Sequence, residues 1–423
     1  MDFVTLPEAG RFRLKNLRTP ACYLGQPGTG FAPLSLTVAD GRLADGPADA
    51  TLDMKGAIVL PCGVDMHTHL DKGHIWPRAA NPDGSFMGAL TTVAGDRAAN
   101  WSADDVRRRM EFSLKCAFAH GTRAVRTHLD SIAPQDDISW PLFDEVRADW
   151  RGRIELQAAA LVAADNVTED GAYAHTADLV KRFDGVLGAV TYPIPDIARR
   201  VETVLKLASA RGLPVDFHVD ETLDPTSATL RVIAETVLKT GFDAPVVVGH
   251  CCSLSTQDPA EADHTLDLVA EAGIAVVSLP MCNLYLQDRQ PGRTPRYRGI
   301  TLVHEMAARG IPVSFASDNT RDPFYAYGDM DLVEVLREAT RIGHLDHSRG
   351  DWAFSVNRTP ADVCGFAPCG KLGEPADFIL FNARSWTEFF ARPQSDRVVV
   401  RGGRAIDRTL PAHAELDDLM EGK

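Results

Sequence analysis

The chain has 423 residues, and its 44 lysines and arginines against 58 aspartates and glutamates give a formal net charge of −14 at pH 7. This acidic balance argues against a nucleic-acid partner, because binding to a polynucleotide requires clustered cations that displace its counterions. Hydrophobic residues make up 45% of the sequence and charged residues 24%, a composition typical of a globular protein and unlike that of a disordered chain or a coiled coil.

The N-terminal segment, residues 1–57, contains short β-like runs broken by Gly, Pro and Asp, as in LSLTVADGRLADG. It lacks an apolar stretch long enough for a signal peptide, and no uninterrupted apolar run of about 18 residues occurs in the chain. We therefore expect a cytoplasmic protein with no membrane partner. The eight cysteines are too sparse for a disulfide scaffold, and we expect reduced thiols.

From about residue 58 one pattern repeats: an amphipathic helical stretch, a glycine, and then a short, mostly apolar run, as in AHGTRAVRTH and ARGLPVDFHV. Glycine suits the left-handed position that ends a helix, and a continuous apolar run is typical of a parallel strand covered on both faces. In the helix predicted at 102–120, Ser102 is the candidate N-cap, and Val106, Met110 and Leu114 fall on one face. Helices and parallel strands should therefore alternate.

This pattern predicts eight strands, which favours a closed (β/α)8 TIM barrel over an open doubly wound sheet. The predicted strands are Val64–His69, Arg123–Leu129, Ile154–Val162, Leu187–Tyr192, Pro214–Val219, Pro245–His250, Ile274–Leu279 and Ile311–Ser317.

The C-terminal segment, residues 370–423, returns to short β-like runs such as ADFILFNARSW and RVVVRGGRAI. Neither end of the chain has enough apolar residues for a core of its own. We therefore expect an α/β protein with two parts. Residues 58–369 form the barrel, and residues 1–57 and 370–423 together form one small β-sandwich domain.

Polar residues interrupt the predicted strands at their carboxyl ends, the face where barrels carry their catalytic groups. His67 and His69 end the first strand, and their two-residue spacing points both imidazoles to one side. His218 ends the fifth strand, His250 the sixth, and Asp318 follows the eighth. Five polar strand ends in barrel order are more than chance supplies, so they predict one shared site.

His67, His69, His218 and Asp318 make a set of three nitrogens and one oxygen, suited to one divalent ion such as Zn²⁺ or Fe²⁺. Such an ion lowers the pKa of water toward neutrality and so makes it nucleophilic. Glu221, three residues after His218, can carry a proton to a leaving group. His250 and Asp318 can orient the water and polarise the electrophile.

Most other histidines fall in predicted helices or loops, and we expect them at the surface: His74, His120, His175, His264, His304, His344, His347 and His413. His128, at the end of the second strand, either supports a metal ligand or lines the substrate pocket.

Several motifs together resemble the amidohydrolase superfamily: HTHLDK at 67–72, DFHVDE at 216–221, GH at 249–250 and SD at 317–318. A second group resembles its cytosine-deaminase-like branch: VRTHLD at 125–130, N-x-x-L-Q-x-R from Asn283 to Arg289, RGIT at 298–301 and DNTRDPF at 318–324. The resemblance spans most of the chain.

The resemblance implies hydrolytic deamination of an amino-substituted nitrogen heterocycle, with release of ammonia. It assigns His67, His69, His218 and Asp318 to the metal, and Glu221, His250 and Asp318 to catalysis. Binuclear relatives place a bridging lysine in the fourth strand, but LGAVTYP has none. One ion per chain, zinc or iron, is therefore expected, and the resemblance also suggests a homo-oligomer.

Two departures from the cytosine deaminase pattern bear on the substrate. Ala163 stands where those enzymes carry a glutamine that binds the pyrimidine edge, and Asn319 stands where they have a second aspartate. Loss of a buried amide contact removes discrimination for cytosine itself. A pterin, another aminopyrimidine or an amino-triazine becomes plausible.

Six residues are candidates for substrate binding: Lys72, Trp76, His128, Gln287, Asn319 and Phe324. Lys72 could bind a carboxylate or carbonyl of the substrate, although a solvated loop lysine is an equal alternative. Trp76 and Phe324 could stack on a planar ring or simply pack in their loops.

Two further functions stay open at this point. Relatives in the same branch remove an alkylamine from N-alkylated triazines, so this chain could be an N-alkylamino-triazine amidohydrolase. A catalytically silent barrel used as a binding protein is the other alternative, but it predicts a broken site, and the complete His/Glu/Asp set counts against it.

Overall fold

The structure is a computed structural model that describes residues 3–421 except 27, 349–350, 372 and 393–395. The strands are β1 (Phe12–Pro20), β2 (Phe31–Ala39), β3 (Arg42–Ala44), β4 (Ala50–Asp53), β5 (Ile58–Pro61), β6 (Gly63–Thr68), β7 (Thr122–Asp130), β8 (Glu155–Leu161), β9 (Leu187–Thr191), β10 (Val215–Val219), β11 (Val246–His250), β12 (Ala275–Ser278), β13 (Val313–Phe315), β14 (Phe378–Phe381), β15 (Arg397–Arg401) and β16 (Arg404–Ala405).

The helices are α1 (Phe86–Asn100), α2 (Ala103–His120), α3 (Asp136–Asp149), α4 (Ala172–Arg182), α5 (Ile197–Ser209), α6 (Thr229–Thr240), α7 (Pro259–Glu271), α8 (Pro280–Leu286), α9 (Val303–Ala308), α10 (Leu332–Gly343), α11 (Arg358–Cys364), α12 (Trp386–Ala391) and α13 (Asp417–Met420). Among the described residues, none of these helices is both long and apolar enough to span a lipid bilayer.

The eight strands β6 to β13 are parallel and alternate with helices, as the sequence predicts. They pair in chain order as β6-β7-β8 and as β9 to β13. A bridge between Ala159 and Val186 joins β8 to the start of β9, and a bridge between Thr68 and Asp318 joins the two remaining edges. The parallel strands therefore run around a ring.

Helix α2 illustrates how capping residues determine where a helix begins and ends. Its N-cap Ser102 accepts a hydrogen bond from the Asp105 amide at 3.3 Å, and its C-cap Gly121 is left-handed with φ 97°. A Cβ atom at Gly121 would lie only 2.5 Å from Cδ1 of Ile379, so the position also requires glycine for packing. The predicted apolar face of α2, including Val106 and Met110, is fully buried.

Strands from both ends of the chain pair in one sheet of order β16-β15-β14-β5-β1-β2-β3, with β4 paired to β1. Strand β5 pairs with both β1 and β14, although it follows residue 57. One sheet therefore unites the two ends, whereas the division of the chain into 1–57 plus 370–423 and 58–369, and a sandwich arrangement, stay predictions.

Alternation along β14 ties this sheet to the barrel. Ile379 and Phe381 belong to the large apolar cluster that fills the space around the barrel. Phe378 and Leu380, on the other face of the same strand, belong to a second apolar cluster. This cluster lies within the sheet that both ends of the chain form, hereafter the small sheet. Because successive side chains point to opposite faces of a strand, β14 contributes residues to both apolar clusters.

Candidate metal centre and active site

Four predicted ligands converge at the carboxyl ends of β6, β10 and β13. His67 Nε2 lies 3.1 Å from His218 Nε2, which lies 3.3 Å from His69 Nε2. Asp318 Oδ1 is 3.2 Å from His69 Nε2 and 3.6 Å from His67 Nε2. All four side chains are almost completely buried, with 5% exposure or less.

This cluster has the chemistry of a cation site. Both carboxylate oxygens of Asp318 are buried and make no hydrogen bond to the described residues. Burial, reinforced by neighbouring cationic and imidazole groups, holds the pKa of His67, His69 and His218 well below the ordinary value. The imidazoles are therefore neutral, the form in which histidine binds a metal. The residues present therefore fit a divalent metal ion.

The backbone positions Asp318 against the first strand. Its amide donates to the His67 carbonyl at 2.9 Å, and its φ of 62° places it in the left-handed region. The preceding Ser317 amide donates to Oδ1 of Asp65 at 3.1 Å. Because left-handed geometry costs about 1–3 kcal/mol for a residue other than glycine, these contacts must hold Asp318 in place.

Glu221 and His250 form a pair beside the four predicted metal ligands. Oε1 of Glu221 lies 3.4 Å from Nδ1 of His250, and the His250 ring centroid is 5.1 Å from that of His218. Burial, followed by the negative charge of Asp318, raises the pKa of Glu221 well above the ordinary value. Burial lowers the pKa of His250 to about 3, so its imidazole is neutral.

Asn283 in α8 is a site residue that the sequence analysis did not assign. Its Nδ2 lies 3.0 Å from Nδ1 of His250 and 3.3 Å from Oε1 of Glu221. The side-chain nitrogen of Asn283, rather than its oxygen, occupies this position, because an amide oxygen there would face the carboxyl oxygen of Glu221. Since Nδ1 accepts this hydrogen bond, the ring proton of neutral His250 is on Nε2. Asn283 is the first residue of the motif N-x-x-L-Q-x-R, but the spacing of that motif did not indicate what Asn283 does.

Cys282, the neighbour of Asn283, is another site residue to which the sequence analysis gave no role. Its thiol, Oε of Glu221 and Oδ of Asp318 lie within 4.8 Å of one another. Burial, followed by the charges of Asp318 and Glu221, raises the pKa of this thiol well above its ordinary value. Cys282 is therefore a neutral wall of the site.

His128 packs directly against the predicted ligands. Its ring centroid is 4.1 Å from that of His67 and 4.6 Å from that of His218, and the side chain is fully buried. Its Nε2 is 4.0 Å from Oδ2 of Asp216, which also binds Arg126 at 2.8 Å. His128 thus connects the ligand cluster with a buried ion pair inside the barrel.

Four of the other substrate-binding candidates lie in loops, and Gln287 directly follows α8. Nζ of Lys72 binds Oδ1 of Asp130 at 2.8 Å and lies 5.7 Å from the ring centroid of Phe324. Asn319 donates from Nδ2 to Oδ2 of Asp322 at 2.7 Å. A carboxylate of the chain thus already engages Lys72, and an intramolecular hydrogen bond fixes Asn319.

The two remaining candidates differ in their contacts. Gln287 donates from Nε2 to the Glu221 carbonyl at 3.1 Å, so it borders the proposed proton carrier. Trp76 is half-buried, and its backbone amide binds the Arg321 carbonyl at 2.9 Å.

One expectation about the remaining histidines is wrong. His74 is buried, with 2% exposure, because it lies in the loop after β6 and packs on Phe112 of α2 at a centroid distance of 4.7 Å. Its ring nitrogens have no hydrogen-bond partner among the described residues, and burial lowers its pKa to about 3. His120 and His304 are half-buried, whereas the others expected at the surface are exposed: His175, His264, His344, His347 and His413.

The sequence is similar to those of known proteins over most of its length. A sequence profile described as the amidohydrolase family matches residues 118–407. The chain is 53% identical to a pterin deaminase from Rhizobium rhizogenes over 99% of either chain. It is 21% identical to the N-isopropylammelide isopropyl amidohydrolase of a Pseudomonas species, over 86% of this chain and 89% of the other.

The fold is shared with solved structures. The crystal structure of 5-methylcytosine deaminase from Klebsiella pneumoniae, liganded with 5-fluorocytosine, matches with a TM-score of 0.78 and 24% identity, over 95% of this chain and 98% of that one. N-isopropylammelide isopropylaminohydrolase from Burkholderia multivorans matches with a TM-score of 0.73 and 24% identity, over 94% and 98%. At these identities the likeness concerns the fold.

Proposed function

We propose that this chain, which belongs to the amidohydrolase family, is a metal-dependent hydrolytic deaminase of an amino-substituted nitrogen heterocycle. The reaction adds water to the ring carbon that bears the amino group, breaks the carbon–nitrogen bond, and leaves a ring carbonyl and ammonia. The observation that carries this proposal is the convergence of four potential ligands with the Glu221–His250 pair at one end of the parallel strands.

His67, His69, His218 and Asp318 would hold the metal in this proposal. A divalent ion at this position would lower the pKa of water toward neutrality and thus supply a nucleophile. Strand β9, whose sequence is LGAVT, offers no lysine to bridge a second ion, so we assign one ion per chain. Three nitrogens and one oxygen accept either zinc or iron.

Three side chains would move or hold protons during the reaction. Glu221 would donate its proton to a ring nitrogen, and Asp318 would accept one proton from the attacking water and pass it to the leaving amine. Glu221 would then recover the second proton of the water as the ring carbonyl forms and the carbon–nitrogen bond breaks. His250 presents its Nε2 hydrogen as a donor, because Asn283 occupies Nδ1. Nε2 of His250 makes no hydrogen bond to the described part of the chain and is free to bind the attacking oxygen.

Within this class we assign a pterin as the substrate. The support is the 53% identity to a pterin deaminase over nearly the whole chain. The small side chain of Ala163, half-buried in the segment after β8, is compatible with a two-ring substrate. Lys72, Trp76, His128, Gln287, Asn319 and Phe324 remain the proposed surroundings of the ring.

A substrate panel tests this function. The metal-loaded protein is assayed with pterin, cytosine, a purine, an amino-triazine and an N-alkylamino-triazine, and both ammonia and alkylamine are measured. We expect ammonia release with the highest kcat/KM for pterin. Glu221→Gln should lower kcat about 10²–10⁴-fold and keep the metal, because it removes only the proton carrier.

Glu235→Gln on the exposed surface of α6 is the matched control and should be fully active. Preferential alkylamine release would favour the triazine amidohydrolase. If metal-loaded protein turned over no member of the panel, the silent-barrel alternative would replace the deaminase.

We also propose a cytoplasmic location and a homo-oligomer. All eight cysteines are free thiols, which agrees with a reducing compartment. Size-exclusion chromatography with light scattering measures the oligomeric state directly.

A further inference from the structure

A cavity of about 180 Å³ lies between the small sheet and the amino end of the barrel strands, remote from the metal centre. Leu36, Val59 and Phe378 of the sheet and Ala361 of α11 form its apolar wall. Arg123, the second residue of β7, also lines it. His128, which packs on the metal ligands, lies toward the opposite end of the same strand.

Arg123 is a buried cation without a partner. The residue is only 8% exposed, and its Nε is shielded from solvent and makes no hydrogen bond to the described residues. Within the part of the chain that the structure describes, its guanidinium makes no ion pair. A buried charge without a partner is costly, so the position calls for an anion that the described residues do not supply.

Neither acidic residue that lines the cavity pairs with Arg123, and Oδ2 of Asp362 lies 3.9 Å from Nε of Arg358. Asp377 also lines the cavity, but its carboxylate binds Nε of Arg401 at 3.0 Å and the amide of Gly402 at 2.6 Å. Cys62 and Cys369 lie nearby, and burial raises the pKa of the Cys369 thiol to about 11, so it stays uncharged at neutral pH. Two exposed cations, Arg358 and Lys371, also line the cavity.

We infer that this cavity is a second binding site, for a small monocarboxylate with a short apolar body. The carboxylate pairs with Arg123, and the body packs on the leucine, valine and phenylalanine wall. A cavity of about 150 Å³ accommodates benzene, so benzoate and hexanoate have suitable dimensions. One buried cation within apolar walls favours such a monoanion over inorganic phosphate, which lacks an apolar part.

Isothermal titration calorimetry on the metal-loaded protein tests the site with benzoate, hexanoate, benzyl alcohol and acetate. Benzoate and hexanoate should bind saturably with one equivalent per chain. Benzyl alcohol lacks the charge and acetate lacks the apolar body, so each should bind at least about tenfold more weakly. Equal binding of benzyl alcohol and benzoate, or no saturable binding of either carboxylate, would overturn the proposal.

Variants locate the binding. Arg123→Met should weaken benzoate at least about tenfold, whereas Arg123→Lys, which keeps the charge, should retain most of the affinity. Arg151→Met, an exposed arginine outside the cavity, is the control and should bind as the unaltered protein does. Unchanged binding in Arg123→Met would place the carboxylate elsewhere, for example at the metal centre.

A cavity-filling variant covers the case in which Arg123→Met does not fold. Leu36→Trp, at a half-buried position of the apolar wall, should abolish benzoate binding and leave kcat for the amino-heterocycle unchanged. Retention of benzoate affinity in a folded Leu36→Trp protein would contradict the location.

Discussion

Asn283 donates its Nδ2 amide hydrogen to Nδ1 of His250 at 3.0 Å, and this contact decides which ring nitrogen of His250 is a donor. The same amide reaches Oε1 of Glu221 at 3.3 Å. A single side chain therefore orients both groups that we assign to proton transfer and to contact with the attacking oxygen. Asn283 is positioned by α8, which is separated from the end of β12 by a single residue.

Asn283→Leu should lower kcat about 10–100-fold with a smaller change in KM, as is typical of residues that orient a catalytic group. Leucine keeps the volume but removes the donor, so His250 is free to adopt the other tautomer. Nitrogen NMR shifts of His250 report that change separately from activity. Asn166→Leu, at an exposed position, is the control. An unaltered His250 tautomer in Asn283→Leu would show that other contacts determine it.

Removal of the metal should abolish turnover and lower stability. A ligand that binds only the folded state at 1,000 times its Kd stabilises that state by about 4 kcal/mol, so restoring one equivalent of zinc should raise the thermal midpoint. His218→Ala should reduce bound metal, whereas His264→Ala, at an exposed position, should not. Metal analysis that finds two ions per chain would contradict the single-ion assignment.

The ion pair between half-buried Asp331 and buried Arg397 predicts a pH-dependent stability. Burial alone would raise the pKa of Asp331, but the Arg397 guanidinium outweighs it and holds this pKa well below the ordinary value. A depressed folded-state pKa means that the pair stabilises the fold above the unfolded-state pKa of about 3.9. This contribution disappears as the pH falls through the lower folded-state pKa.

Asp331→Asn should therefore cost about 3 kcal/mol at pH 7, and the difference from the unaltered protein should shrink below about pH 4. Asparagine still caps α10, where Oδ1 of Asp331 accepts from the Val333 amide at 3.0 Å, so the variant isolates the charge. Urea unfolding at several pH values provides the measurement. Asp149→Asn, in an ion pair that leaves Asp149 60% exposed, should cost less than about 1 kcal/mol. A pH-independent difference would exclude the electrostatic cause.

Ala163→Gln tests the proposed room for a second ring. A glutamine here should reduce kcat/KM for pterin about tenfold or more and reduce that for cytosine less, because the longer side chain fills space that a single ring does not use. The two substrates are compared by ammonia release under identical metal loading. Ala210→Gln in the turn after α5 serves as the control. Equal losses for both substrates would indicate general damage rather than a change of specificity.

The sequence indicated that the four predicted ligands would lie close together because its signals are local. A period of two places His67 and His69 on one side of a strand, and a helix–glycine–strand pattern identifies the carboxyl ends where His218 and Asp318 stand. All eight strands are present, although β13 is shorter than predicted. Its carboxyl end leaves the ladder as the backbone approaches the left-handed Asp318.

The sequence could not predict roles that depend on contacts between distant elements. Asn283 acquires its role only when α8 lies beside β11, and asparagine early in a helix has no periodic signature. His74 is buried because α2 covers the loop that carries it, which a loop pattern does not indicate. Arg123 looks like an ordinary polar residue at a strand start until the small sheet closes over it.

The pairing of β5 with β14 joins residues about 320 positions apart in the chain, such as Leu60 with Ile379. The barrel strands lie between these two partners in the chain and are synthesised before β14. One edge of β5 therefore stays unpaired until nearly all of the protein has left the ribosome. Contacts of such long sequence separation form late and slowly. Because the pairing of β5 with β14 needs both ends of the chain, we expect it to be among the last contacts of the fold to form.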